Sequence, residues 1–102
     1  MRIFEGKIWG YDKESNEELS YEIKQLTAVF EEDRPNMIGI VRCVKITIES
    51  DAPADINSAA ENEFYNKFAA AEYSDGNEEY KETAKKAISE QTGLDISQIE
   101  IV

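Results

Sequence analysis

From Met37 to Glu49 the chain alternates with a period of two: Ile38, Ile40, Val44, Ile46 and Ile48 fill five of the six even-numbered positions with β-branched apolar side chains, and Arg42 holds the sixth. Side chains two apart share one face of a strand, so this pattern predicts a strand with a continuous apolar face. The odd positions begin apolar, at Met37, Val41 and Cys43, and turn polar at Lys45, Thr47 and Glu49. The first half is therefore expected to be covered on both sides, which places the strand inside a sheet.

Before it, Arg2 to Tyr11 predicts one strand with Phe4 and Ile8 on one side and Ile3, Trp9 and Tyr11 on the other with Glu5 and Lys7. Gly6 and Gly10 mark bulges or places of close backbone approach within it. Residues 12–18, DKESNEE, form a charged connector. Asp12, Glu14 and Asn16 have the spacing of a calcium loop, but Glu17 stands at the turn glycine and Ile23 at the closing glutamate, so no calcium site is expected. Leu19 to Glu31 carries two patterns. Leu19, Ile23, Leu26 and Phe30 fall at helical spacing behind a Ser15/Glu18 capping box. Leu19, Tyr21 and Ile23 also alternate as on a strand, and Leu26, Ala28 and Phe30 resume that alternation after a slip that a β-bulge near Lys24 or Gln25 absorbs. A strand fits better, because a helix here would end on Glu31, Glu32 and Asp33 at its negative pole with no glycine to close it. A turn at Asp33-Arg34-Pro35-Asn36 joins it to the next strand.

After Ser50 the pattern becomes helical. Ile56, Ala60, Phe64 and Phe68 recur every fourth residue, with Asp51 or Asp55 as cap and Pro53 in the first turn. Asp75-Gly76-Asn77 breaks the helix, and a second one opens on Glu78 and Glu79, buries Tyr80, Ala84, Ala87 and Ile88, and closes at Gly93 and Leu94. Ile96, Ile99 and Ile101 predict a last strand. The expected fold is a single α+β domain over residues 1–102: an antiparallel sheet, a three-stranded meander plus the C-terminal strand, packed against two helices in the order β-β-β-α-α-β.

Composition narrows the function. A 102-residue chain that is 41% hydrophobic with ten aromatics supports one core without disulfides or metals. Cys43 is the lone cysteine, which excludes an internal disulfide and suits a small buried hydrophobe. Twenty-two acids against eleven bases, with no histidine, give a net charge of −11. That surplus repels phosphate backbones and anionic lipid heads, so neither direct nucleic-acid binding nor a membrane surface is expected, whereas a basic protein surface is a suitable partner. No apolar run reaches the roughly 18 residues of a membrane span and the first residues lack a signal-peptide pattern, which predicts a cytoplasmic protein.

The absence of histidine removes Ser-His and Cys-His pairs and imidazole metal ligands, and no glycine-rich loop has phosphate-binding spacing. Carboxylate pairs such as Glu61 and Glu63 or Glu78 and Glu79 arise by chance among 22 acids. The expectation is a non-enzymatic protein with no catalytic residue, no metal and no cofactor.

Charge is concentrated between Glu49 and Glu79, where nine acids face one base, Lys67. Tyr65 and Tyr73 stand among these carboxylates, so Asp51, Asp55, Glu61, Glu63, Tyr65, Glu72, Tyr73, Asp75, Glu78 and Glu79 form the candidate partner-binding set, against the plainer alternative of a solvated helix face. Carboxylates three or four apart on a helix stand roughly 5 to 6 Å apart, coarsely the spacing of phosphates along a strand. An inhibitor that fills a basic, nucleic-acid-binding groove is therefore expected; in size and charge alone the chain is similar to small acidic inhibitors of phages and plasmids, anti-restriction and anti-CRISPR proteins among them. The alternative is a structural or assembly module that pairs through exposed sheet edges, as a homodimer for example. Arg42 on its apolar face either snorkels to an edge or pairs with a buried carboxylate, or marks a face left open for a partner, and Trp9 beside Gly10 is either core packing or a binding anchor.

Overall fold

In the computed structural model, which describes residues 2–12, 14–32, 39–74 and 79–102, six strands form one sheet and two helices cover one of its faces. The chain runs β1 (Arg2–Phe4), β2 (Lys7–Asp12), β3 (Glu17–Glu32), β4 (Ile40–Ser50), α1 (Ala54–Phe68), β5 (Glu72–Ser74), α2 (Glu79–Thr92) and β6 (Ile99–Ile101). The spatial order is β1-β2-β3-β4-β5, antiparallel throughout, with β6 also on β3. The α+β class and the two-helix layer are as read from the sequence. Three details differ: the first strand is a hairpin, a short strand lies between the helices, and the last strand runs parallel to its neighbour. The predicted turn at Asp33–Asn36, Met37 and Ile38 ahead of β4, and the break at Asp75–Asn77 with Glu78 lie outside the described residues.

The hairpin arises because Glu5 (φ 55°) and Gly6 (φ 71°) both take left-handed conformations, the geometry of a two-residue turn whose twist matches that of the strands it joins. Phe4 then faces Lys7, Ile3 faces Ile8 and Arg2 faces Trp9. The turn rests on the end of α2. The Gly6 N–H donates to the Thr92 carbonyl at 2.8 Å, and a Cβ on Gly93 would lie 2.6 Å from the Glu5 nitrogen. Gly93 (φ 76°) also ends the helix, with Leu94 buried beside it, as the sequence predicts.

β3 is the long central strand. Its first part, Glu17 to Glu22, pairs with β2; its second part pairs with β4 on one side and with β6, at residues 26 to 28, on the other. The predicted bulge falls at Lys24, between the pairs Ile23↔Ser50 and Gln25↔Glu49, and it keeps Ile23, Leu26, Ala28 and Phe30 all buried.

β4 corrects the period-two reading. A second bulge lies at Val44, since Val29 faces Lys45 while Phe30 faces Cys43. The extra residue switches the parity of the strand. The buried set is Val41, Cys43, Ile46 and Ile48, and Val44 is 42% exposed. Arg42 is no misfit in an apolar face, for the bulge carries it to the uncovered side opposite Glu31. On α1 the buried stripe is Ala60, Phe64 and Phe68 with Ile56 packed at its edge; Tyr80, Ala84, Ala87 and Ile88 do the same on α2. Neither Asp51 nor Asp55 caps α1, which begins after Pro53 without a side-chain cap.

Candidate docking site

The acids between Glu49 and Glu79 are divided among different surfaces. Glu61 turns toward the outer edge of β4, where its carboxylate accepts the Ile48 N–H at 2.7 Å, and Asn57 donates to the Ile48 carbonyl at 2.9 Å. Two side chains of α1 thus stand where a neighbouring strand would supply hydrogen bonds. Glu63 lies on another side of the helix, with Lys67, Phe64, Gln91 and Ile3 around a cavity of about 260 Å³. Asp51 pairs with Lys24 at 3.3 Å, and Asp55 is exposed in the first turn of α1. Glu72 lies on β5 in register with Arg42, Glu79 is exposed at the start of α2, and Asp75 and Glu78 lie outside the described residues. The tyrosines are not surface decoration. Tyr73 packs its ring edge against Phe30 at 5.8 Å, and Tyr65 is half-buried over a groove formed with Val44, Lys45, Ile46, Glu61 and Asn62. The described residues of the candidate set therefore share no single acidic face.

Burial pushes the Cys43 thiol above its ordinary range, and the Tyr73 hydroxyl is likewise raised by burial and then by the nearby Cys43. A thiol in that setting is a poor nucleophile. Trp9 is half-buried on the uncovered face, stacked on Phe4 at 5.0 Å, with its indole N–H donating to the Phe4 carbonyl at 3.1 Å.

A further combination of carboxylates and apolar rings, beside that of Glu61 and Tyr65, lies at the end of the β2–β3 hairpin. Along the helix-covered face, Ile8 and Ile23 are fully buried, whereas Gly10, Leu19 and Tyr21 are only partly so. Helical cover stops there, and the hairpin continues as an arm in a molecule 50 Å long and 17 Å thick. Gly10, Tyr11, Asp12, Leu19 and Tyr21 line a groove of about 270 Å³ that Ile56, at the start of α1, closes on its helix side. Tyr11 is 61% exposed and its hydroxyl donates to Asn16 Oδ1. Residues 11–22 hold Asp12, Glu14, Glu17, Glu18 and Glu22 against Lys13, and Asp51 and Asp55 flank the adjoining helix start. Glu18 forms an ion pair with Arg2 at 2.6 Å, while Glu14 and Glu17 are exposed. The loop is shaped by Asp12, whose Oδ1 accepts the Glu14 N–H and whose Oδ2 accepts the Ser15 hydroxyl, both at 3.0 Å.

No protein-family model, curated protein or solved structure matches the chain. Among the described residues no helix is long and apolar enough to cross a membrane.

Proposed function

We propose that this is a small, cytoplasmic, non-enzymatic binding protein that docks its β2–β3 arm and the adjoining start of α1 on a basic protein surface, and so occupies a groove that otherwise holds nucleic acid. The supporting observation is the arm itself: half-buried Leu19 and Tyr21 beyond the helical cover and exposed Tyr11 beside them, with Asp12 and the exposed Glu14 and Glu17 at the same end of the hairpin. Apolar rings within a rim of one charge sign suit an interface whose partner carries the opposite sign. The inhibitor role follows from the net charge of −11, which competes with a polyanion for the same cations. Immobilised parent protein should retain basic nucleic-acid-binding proteins at low salt and release them to duplex DNA or RNA, and the Glu14→Lys/Glu17→Lys variant should not retain them. Equal retention by parent and variant, or indifference to added nucleic acid, contradicts the proposal.

A second role, assembly through sheet edges, is favoured by the outer sides of β1 and β6, which have no strand partner among the described residues. The outer edge of β4 is less suited to a second copy, because β5 already occupies that position beside residues 40–42. Sedimentation over a concentration range separates the two roles: edge pairing gives a dimer that persists in high salt.

A further inference from the structure

Gly10 sits in the middle of β2 without a reason supplied by the fold. Its φ is not left-handed, its register with Leu19 runs unbroken between neighbouring pairs, and a Cβ built on it meets no atom within 4 Å. Glycine inside a strand weakens the strand, and where neither a bulge nor a tight contact requires it, the remaining reason is the close approach of something else. The space it leaves is the floor of the groove between the arm and α1.

We infer that this groove is a slot for an arginine side chain of the basic partner, an inference that rests on the docking role proposed above. Leu19 and Ile56 offer aliphatic walls for the side-chain stem, and Tyr21 offers a ring face for a flat guanidinium. Asp12 supplies the opposite charge. Each of its oxygens already accepts one hydrogen bond, from the Glu14 N–H and the Ser15 hydroxyl, which fixes the carboxylate and leaves further lone pairs for a two-pronged bond to a guanidinium. Lysine can satisfy the charge but has no planar face to lay against the ring. Phosphate is repelled by the same carboxylate.

Amide-shift titration with a capped pentapeptide carrying two arginines, and with its lysine counterpart, tests the slot. The arginine peptide should bind roughly three- to tenfold more tightly, with shifts centred on Gly10, Leu19 and Ile56. Gly10→Val adds a side chain whose Cβ meets no atom within 4 Å, and it should keep or raise the unfolding midpoint while abolishing the arginine preference; Asp12→Asn should abolish it as well. Equal binding of the two peptides, or a preference that survives Gly10→Val in the folded protein, overturns the slot. The two proposals fail separately: a partner complex that is insensitive to Glu14→Lys/Glu17→Lys sinks the docking role, whereas equal binding of the two peptides by the parent protein sinks only the slot.

Discussion

Glu61 is the acid whose role changes most between sequence and structure. Its carboxylate holds a main-chain N–H of β4 at 2.7 Å, so removing it strands a partly buried donor. Glu61→Ala is expected to cost about 1 to 3 kcal/mol in urea unfolding, whereas Glu63→Lys, on another side of α1, should cost less than about 0.5 kcal/mol. Cys43 and Tyr73 give the residue scale a pH signature. Both folded-state pKa values are raised, so the folded protein keeps protons that the unfolded chain releases, and the stability these groups contribute is complete below the unfolded values and is lost as pH rises through the folded ones. The urea midpoint should fall as pH rises above about 8.5, and Cys43→Ala should flatten the first part of that fall.

Among the elements, the bulges decide how far pattern alone can be trusted. The slip near Lys24 was legible because Ile23 and Leu26 are both apolar and sit three apart. The bulge at Val44 was not, because Val44 is itself β-branched and apolar and completes a false period of two with Ile46 and Ile48. Removing Val44 should restore an ordinary ladder with Cys43 and Ile46 still inward, at a cost under about 1 kcal/mol, whereas removing Thr47 turns Ile48 outward and should cost upwards of about 4 kcal/mol. Circular dichroism with denaturant titration distinguishes these outcomes. The β1–β2 turn was missed because Glu5 is an unusual residue at a left-handed position, and only Gly6 signals it. Its lock is Gly93: Gly93→Ala combines a left-handed φ with a 2.6 Å contact to Glu5, and should lower stability by upwards of about 2 kcal/mol and speed exchange of the Gly6 amide.

At the scale of the whole molecule, the arm follows from a mismatch of lengths. Sixteen residues of strand extend about 50 Å while fifteen of helix span about 22 Å, so α1 alone cannot cover the length of β3. The sequence pattern places the strand at 19–31 and leaves Glu17 and Glu18 in a connector, so it understates the length by which β3 outruns the helix. Charge counting located the excess of acid between Glu49 and Glu79 correctly yet could not show that Glu61 and Glu63 look in different directions or that Tyr73 packs on Phe30. Docking through the arm also implies a strong salt dependence, which Glu14→Lys/Glu17→Lys should flatten in any partner titration. The most direct measurement is hydrogen exchange of the protein in complex with a basic partner that it retains. Slowed exchange should fall on residues 10–21 and on the first turn of α1, around Ile56; protection confined to the outer face of α1 near Asn62 and Asn66, or to the uncovered face of β4, would contradict it.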